Sequence, residues 1–304
     1  MPTETITAAA SGTWTLGDLE VHRIGFGAMR LPQDGPALRA AARSGDRSRA
    51  IAVLRRAVEL GVNHIDTAAF YFSPLRSANE LINSALGGPY PDDLVIATKV
   101  GPTRDAAGEW AAHAGPGQLR GQVEENLRQL GRDHLDVVNL RVLGTDSLAE
   151  RFGVLAGLRE AGLIRHLGVS NVTPEQLAEA QAIAPVVCVQ NMYGIGVRPE
   201  YDAFVRSCGE QGIAFVSFYA IAAAGREGGA AGSESEELLT VARAHGASPA
   251  QVRLAWTLRR GPHVLAIPGT GNPDHLADNV AAGALHLTDE DLALLERLHH
   301  APAA

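Results

Sequence analysis

Short apolar runs alternate with helix-like segments along almost the whole chain, and this alternation restricts the fold more than any other feature. Apolar residues at three- and four-residue spacing predict helices with one buried face. These segments are Ala50–Leu60, Ala78–Leu86, Leu119–Leu130, Leu148–Ala161, Pro174–Ile183, Tyr201–Gln211, Glu236–His245, Ala250–Arg259, Pro273–Ala282 and Asp289–Leu298. The runs between them are apolar at successive positions, which is typical of parallel strands buried on both faces. These runs are Ile24–Gly27, Val62–Asp66, Leu94–Val100, Leu135–Leu140, His166–Val169, Val186–Gln190, Ile213–Phe218 and Val264–Ile267.

Eight strand–helix units in about 250 residues are the number and length expected for a (β/α)8 TIM barrel. The chain has 304 residues, and barrels of this size form one domain. We therefore expect a single domain over residues 1–304, with an ordered core from about 12 to 298. Thr13–Val21 predicts a β-hairpin with Gly-Asp at its turn, which would close the bottom of the barrel.

A doubly wound dinucleotide fold is the alternative architecture. It needs a GxGxxG sequence between an early strand and a helix. The nearest match, Gly25-Phe26-Gly27-Ala28-Met29-Arg30, ends in Arg and precedes no helix-like segment. The barrel is therefore the favoured fold.

Charge, hydropathy and cysteine usage exclude several functional classes. The chain carries 26 basic and 34 acidic residues, a net charge of −8, whereas nucleic-acid binders present a basic face. No apolar run reaches the ~18 to 20 residues of a membrane span, and Met1–Ser11 does not resemble a signal peptide. Cys188 and Cys208 are expected to be reduced core residues of a cytoplasmic protein. CxxC and HExxH spacings are absent, so no metal site is expected. The oligomeric state stays open.

Charged and phenolic side chains collect at the carboxyl ends of the early strands, where they converge on one barrel mouth. Asp66 ends the second strand, Lys99 the third and Arg141 the fourth, and Tyr71 follows five residues after Asp66. Each alone could be a cap or a solvated strand end, but together they predict one site.

At this point the chain resembles the aldo-keto reductases over about residues 12–298. The resemblance rests on DTAAFY (66–71), ATK (97–99), GVSN (168–171) and IPGT (267–270). It implies reduction of an aldehyde or ketone by a nicotinamide cofactor, with Tyr71 as proton donor. The chemistry agrees, because a phenol has an ordinary pKa of about 10 and a nearby ammonium lowers such a value. Lys99, held by Asp66, is the expected ammonium.

Arg141 departs from the family pattern, since most members carry a histidine there. An arginine stays protonated and can stabilise negative charge on a carbonyl oxygen, but it cannot shuttle a proton near neutral pH. It could instead point away into a structural ion pair. The substitution therefore leaves two functions open: an active reductase, or a cofactor-binding sensor that has largely lost catalysis. The string LDVVNLR (135–141) also resembles a bacterial branch that includes pyridoxal-reducing enzymes.

The resemblance implies positions along the cofactor. Those near the nicotinamide are Gly27, Met29, Ser170, Asn171, Gln190 and Phe218, of which Phe218 would stack on the ring. The Gly/Ala/Ser-rich segment Ala222–Ser235 would lie beside the pyrophosphate, with Arg226 as a candidate charge partner. Gln33–Arg49 is expected to be a solvated loop.

At the adenosine end, Thr270 and the following helix start would hold a phosphate, and Asn279 with Asp278 would contact adenine. Gly269 and His275 replace a common lysine and arginine, and this loss of positive charge should weaken the preference for a 2′-phosphate. We therefore expect NADPH with reduced discrimination, and NADH as a second cofactor.

The long segment 101–117 after the third strand carries Trp110 and His113. Long loops at this end of a barrel shape the substrate pocket. Trp110 is therefore a candidate pocket wall or a satellite core contact, and His113 is expected to be a surface histidine.

Overall fold

Eight parallel strands form one sheet, as expected for a TIM barrel. The computed structural model describes residues 5–34, 43–105, 109–221 and 234–301. The strands are β1 (Phe26–Gly27), β2 (His64–Asp66), β3 (Val95–Val100), β4 (Leu135–Arg141), β5 (Ile164–Ser170), β6 (Val186–Met192), β7 (Ala214–Phe218) and β8 (Val264–Ala266). They pair in sequence order, and a parallel bridge between Ile24 and Ala266 joins the two edges. The predicted barrel is thereby confirmed.

The helices lie close to where the apolar spacing predicts them. They are α1 (Arg47–Glu59), α2 (Ala78–Leu86), α3 (Pro116–Leu130), α4 (Ala149–Glu160), α5 (Pro174–Gln181), α6 (Asp202–Glu210), α7 (Glu236–His245), α8 (Pro249–Arg259), α9 (Pro273–Ala281) and α10 (Asp289–His299). Helix α1 begins three residues before its apolar stripe, because Asp46 caps it by accepting the backbone N–H of Arg49 at 2.9 Å.

The predicted N-terminal hairpin consists of Thr13–Leu16 and Leu19–His22. Leu16 and Val21 pack in one apolar cluster with Val95 and Ala214, the first residues of β3 and β7. The hairpin therefore closes the amino-terminal end of the barrel. Its turn uses the predicted Gly-Asp pair, and Gly17 adopts φ +70°, a conformation that suits glycine.

The segment Gln33–Arg49 is not simply a solvated loop. Gln33–Asp34 pairs with Arg43–Ser44 in a short antiparallel ladder. Ser44 Oγ lies 3.0 Å from Ser73 Oγ, which links this ladder to the loop after β2. The prediction was wrong here because these contacts depend on a distant loop rather than on local apolar periodicity. Residues 35–42 lie outside the described residues.

Both cysteines lie where the composition predicts them. Cys188 and Cys208 are buried and free, and burial raises the pKa of each thiol to about 12. Neither thiol is therefore a nucleophile at neutral pH. In the parts of the chain that the structure describes, no helix combines the length and apolar character of a membrane span.

Buried His64 makes the stability of the fold depend on pH. Its Nδ1–H donates to the His22 carbonyl at 3.1 Å, and burial lowers its pKa from 6.5 to about 4. The unfolded chain takes up a proton near pH 6.5, whereas the folded protein does so only near pH 4. The contribution of His64 to stability is therefore fully present above pH 6.5 and is lost as the pH falls towards 4, a change of about 3 kcal/mol.

We expect His64→Asn, which can keep the donor to His22, to reduce the loss of unfolding free energy between pH 7 and pH 4.5. Urea denaturation at both pH values measures this difference. The control is His286→Asn, because His286 is exposed and its replacement should leave the pH dependence as in the wild type. Equal pH dependence in the wild type and His64→Asn would contradict the assignment.

Candidate active site

Asp66 and Lys99 form a buried ion pair at the carboxyl ends of β2 and β3. The Lys99 Nζ lies 2.6 Å from both carboxylate oxygens of Asp66 and donates to the Thr67 carbonyl at 3.0 Å. The two side chains are only 1% and 5% exposed. Because the ammonium takes three protein acceptors, its position is fixed inside the barrel mouth.

Tyr71 packs directly against this pair. The Lys99 Nζ lies 4.9 Å from the centroid of the Tyr71 ring, within the range of a cation–π contact. The ring also packs edge-to-face on Phe70, with 5.1 Å between centroids. Although Tyr71 is only 6% exposed, its hydroxyl makes no hydrogen bond with any described residue. The structure thus brings Asp66, Lys99 and Tyr71 together and leaves the phenol oxygen without a protein partner in the described chain.

Arg141 reaches across the mouth from the last position of β4. Its Nη1 donates to the Ser170 hydroxyl at 3.2 Å, and its guanidinium carbon lies 5.1 Å from the ring centroid of Phe218 on β7. No salt bridge joins Arg141 to a carboxylate among the described residues. The geometry therefore favours a role at the mouth over a structural ion pair.

Gln190 joins Arg141 to the ion pair, a connection that the sequence analysis missed. Its Nε2 donates to Asp66 at 2.7 Å, and its Oε1 accepts from the Ser170 hydroxyl at 3.5 Å. A chain of polar contacts consequently runs from Lys99 through Asp66, Gln190 and Ser170 to Arg141. Strand register could have indicated this connection. The β4–β5 pairing places Ser170 opposite Arg141, and the β5–β6 pairing places it opposite Gln190.

Asn171 turns the chain out of β5 with a positive φ of 61°, a conformation that asparagine adopts more readily than most residues. Its backbone N–H donates to the Gln190 carbonyl at 3.0 Å, and its amide Nδ2 donates to the Val142 carbonyl at 2.9 Å. Ser170, Asn171 and Gln190 therefore lie together, and one N–H of the Gln190 amide donates to Asp66.

Gly27 and Gly269 bring β1 and the loop after β8 into backbone contact. A Cβ on Gly269 would lie 2.4 Å from the Gly27 carbonyl oxygen, and one on Gly27 would lie 2.6 Å from the Ile267 carbonyl. These distances leave no room for a side chain. The lysine that is common at position 269 is thus excluded by packing, while the half-buried Met29 follows β1.

The predicted adenosine residues lie just before α9 and along it, from Thr270 to Asn279. The Thr270 hydroxyl accepts the Asn272 backbone N–H at 3.0 Å. Asn279 is only 5% exposed, and its amide has no hydrogen-bond partner among the described residues. His275 and Asp278 are exposed. A buried amide without a partner suits contact with a heteroatom-rich ligand.

The Phe70 ring lies between Trp110 and Tyr71 and contacts both. Trp110 packs edge-to-face on Phe70 at 5.9 Å, and the Arg104 guanidinium lies 5.7 Å from its centroid. With 49% of its surface exposed, Trp110 offers an apolar wall beside Tyr71. The other predicted contact in a mouth loop, Arg226, lies outside the described residues, as does the segment 222–233.

His113 is half-buried rather than exposed at the surface. Its Nδ1 accepts from Arg151 at 2.8 Å, and burial lowers its pKa. The expectation of a surface histidine is therefore wrong. Among the described residues, His113 makes no hydrogen bond or ring contact with Asp66, Lys99 or Tyr71, so the structure does not show it replacing the missing imidazole.

Asp202, His299 and His300 form a further titratable cluster, with ligand-type atoms within 4.8 Å of one another. The Asp202 carboxylate already accepts from the Tyr193 hydroxyl at 2.5 Å, His299 Nε2 at 3.0 Å and Arg260 at 3.0 Å. Protein donors thus occupy the carboxylate oxygens, and the contacts are those of a network that ties α6 to α10.

The chain is similar to known proteins over nearly its whole length. The aldo/keto reductase family model matches residues 23–300. The chain is 45% identical to pyridoxine 4-dehydrogenase of Escherichia coli (94% of this chain, 98% of the relative). It is 37% identical to an uncharacterised oxidoreductase of Schizosaccharomyces pombe (96% and 91%). The crystal structure of a Klebsiella pneumoniae aldo-keto reductase in complex with NADPH superposes with a TM-score of 0.76 at 30% identity, covering 94% and 93%. The chain belongs to the aldo/keto reductase family.

Proposed function

We propose that this protein reduces an aldehyde or ketone with a nicotinamide cofactor, and that Tyr71 gives the proton to the carbonyl oxygen. The observation that carries the proposal is the buried Asp66–Lys99 pair packed on the face of Tyr71. The Tyr71 hydroxyl, which lacks a partner in the described chain, is then available to a substrate oxygen.

The ion pair acts on Tyr71 through electrostatics. As the proton leaves, negative charge develops on the phenol oxygen. The Lys99 ammonium, 4.9 Å from the ring centroid, stabilises that charge in a site from which water is largely excluded. Asp66 fixes the ammonium, and Gln190 fixes Asp66. These three side chains therefore need to move little as the charge develops during the reaction.

Arg141 stabilises charge on the substrate. An arginine guanidinium offers five N–H donors, of which Arg141 directs one to Ser170. The remaining donors can bind a carbonyl oxygen and draw electron density from the carbon. Arg141 thereby replaces the hydrogen bond of the usual histidine without supplying a transferable proton.

The residues present fit a nicotinamide cofactor. The polar groups of Ser170, Asn171 and Gln190 converge at the mouth, and Asn279 offers a buried amide without a partner in the described chain. Phe218 offers an aromatic face, although a ring stacked there would have to share the residue with the Arg141 guanidinium. Bound NADPH supplies the hydride. Gly27, Met29, Gly269, Thr270, Asp278 and His275 are the further proposed contacts, and Arg226 stays a prediction from sequence.

We expect the protein to use NADPH about tenfold more efficiently than NADH. The preference is modest because each lost charge-assisted hydrogen bond is worth about 1.5–3 kcal/mol, and neither position 269 nor position 275 is a lysine or an arginine. His275→Arg, at an exposed site in the first turn of α9, should raise the ratio of kcat/KM values. His286→Arg is the exposed control. A wild-type preference for NADH, or a ratio unchanged in His275→Arg, would contradict this account.

Pyridoxal is the first substrate to test, because the 45% identical relative is named a pyridoxine dehydrogenase. Oxidation of NADPH is followed at steady state with pyridoxal and a panel of other aldehydes. Turnover with a carbonyl substrate supports the proposal. Tight NADPH binding without turnover of any member would instead favour the sensor function that Arg141 suggests.

A further inference from the structure

We propose that Arg104 is a positioning residue that fixes the backbone on both sides of Tyr71 and so sets the direction of the phenol. The inference rests on the proposed function, in which Tyr71 is the proton donor. It begins from the place of Tyr71 in the fold. Asp66 and Lys99 lie on strands of the sheet, whereas Tyr71 lies in the segment between β2 and α2. Segments that connect strands and helices are more mobile than the sheet, so the position of Tyr71 depends on contacts with other loops.

Both carbonyls that flank Tyr71 accept hydrogen bonds from one nitrogen of Arg104. The Nη1 donates to the Phe70 carbonyl at 3.1 Å and to the Phe72 carbonyl at 2.8 Å. A terminal guanidinium nitrogen carries two N–H groups, so one is available for each carbonyl. Hydrogen bonds from an ionised donor are roughly twice as strong as neutral ones. Arg104 therefore connects the loop after β3 firmly to the residues on either side of the phenol.

The backbone of Tyr71 makes two further hydrogen bonds. Its N–H donates to the Ala68 carbonyl at 3.0 Å, and its carbonyl accepts the Ala78 N–H at 2.9 Å. The Phe70 carbonyl and the Tyr71 N–H belong to one peptide group, which is thus bound at both its oxygen and its nitrogen. Because peptide groups are planar, fixing those before and after Tyr71 fixes the direction in which its side chain leaves the backbone.

The position of Arg104 is itself set by the loop after β3. Arg104 and Trp110 form an antiparallel bridge, and the Ala111 N–H donates to the Thr103 carbonyl at 3.0 Å. The guanidinium carbon lies 4.4 Å from the ring centroid of Phe72 and 5.7 Å from that of Trp110. Two aromatic rings therefore contact the guanidinium while its Nη1 binds the carbonyls.

Arg104→Met removes both hydrogen bonds and keeps an unbranched side chain beside Phe72. We expect kcat for aldehyde reduction to fall about 10- to 100-fold, because a displacement of about 1 Å at a reacting group can cost about a hundredfold. KM and the dissociation constant for NADPH should each change less than about threefold, since Arg104 is proposed to act on the chemical step. Arg104→Lys, which keeps a charged donor, should recover part of the lost kcat.

The strongest test adds Arg104→Met to Tyr71→Phe. If Arg104 acts through the Tyr71 hydroxyl, the double variant should have the kcat of Tyr71→Phe alone, because the group that Arg104 positions is already absent. Two independent effects would instead multiply. If Arg104→Met does not fold, the same comparison is made with Arg104→Lys.

Arg23→Met is the matched control, because Arg23 makes the same kind of contacts far from Tyr71. It precedes β1 at the amino-terminal end of the barrel. Its guanidinium donates to the carbonyls of Val264 at 3.2 Å and Gly261 at 2.6 Å, and also to that of Leu258. We expect Arg23→Met to lower the urea midpoint at least as much as Arg104→Met does, and to leave kcat unchanged.

Two kinetic results would overturn the inference while the proposed reductase function remained intact. One is a kcat in Arg104→Met that equals that of the wild type. The other is a loss from Arg104→Met that is as large in the Tyr71→Phe background as in the wild type, since Arg104 would then act on the fold or on another step.

If the wild type reduces no aldehyde, the proposed function fails, and amide hydrogen exchange in NADPH-loaded protein tests the positioning by itself. Exchange of the Tyr71 N–H, followed by NMR, should be at least about tenfold faster in Arg104→Met than in Arg23→Met, because loss of the Arg104 contacts allows this segment to open locally. Equal exchange rates in the two variants would overturn the inference.

Discussion

We expect the replacement of Tyr71 by Phe to lower kcat for aldehyde reduction at least about a hundredfold and to change the dissociation constant for NADPH less than about twofold. Removal of one hydroxyl deletes the proposed proton donor, and a positioned acid contributes about 10²- to 10⁴-fold. The ring remains, so its contacts with Phe70 and with the Lys99 ammonium are kept. Because the phenol oxygen makes no hydrogen bond within the described chain, stability should change little.

Tyr90→Phe is the matched control for Tyr71→Phe. The Tyr90 hydroxyl donates to the Leu130 carbonyl at 2.6 Å, so its removal costs a structural hydrogen bond of about 1 kcal/mol but should leave kcat unchanged. Steady-state kinetics and fluorescence titration with NADPH measure the two effects. A Tyr71→Phe enzyme with near wild-type kcat would remove Tyr71 from the mechanism.

We expect the replacement of Lys99 by Met to have the second large effect, on both activity and stability. The variant leaves the Asp66 carboxylate buried without its cation, and breaking a buried ion pair in this way costs about 3–5 kcal/mol. Loss of the ammonium against the Tyr71 ring should also lower kcat at least about a hundredfold. Urea denaturation and steady-state kinetics of the same preparation measure the two losses.

The double variant Asp66→Asn with Lys99→Met separates these effects. It removes both charges, so most of the unfolding free energy should return, while kcat stays low because the ammonium is still absent. Recovery of activity together with stability would show that Lys99 serves the fold alone. A stable and active Lys99→Met enzyme would be incompatible with the proposed electrostatic role.

The barrel could be predicted from the sequence because its signals are local. Apolar spacing identified α2 and α7 with both ends correct, and continuous apolar runs located β3 and β7 to within one residue at each end. The paired strands at Gln33–Asp34 and Arg43–Ser44 were missed. These two-residue strands are stabilised by contacts such as Ser44 with Ser73, which no local pattern encodes.

The site was only partly predictable for the same reason. Because Asp66 and Lys99 end neighbouring strands, the sequence predicted that they lie at one barrel mouth. In the structure they form an ion pair. The hydrogen bond from Gln190 to Asp66 joins β6 to β2, two strands that are not neighbours in the sheet. The side-chain direction of Arg141 likewise depends on Phe218 across the barrel. Such contacts require the closed ring, so sequence spacing leaves them undetermined.

Transfer of a deuteride in a single turnover shows whether bound cofactor reduces an aldehyde on this protein. Two stereoisomers of NADPH carry a single deuterium at C4. In separate experiments, wild-type protein loaded with one equivalent of one or the other is mixed with excess pyridoxal, and the product alcohol is analysed by mass spectrometry. We expect one stereoisomer to deliver one carbon-bound deuterium per protein molecule, and Tyr71→Phe to deliver it at least about a hundredfold more slowly. Bound cofactor that transfers no deuterium to pyridoxal or to any aldehyde of the panel would contradict this expectation.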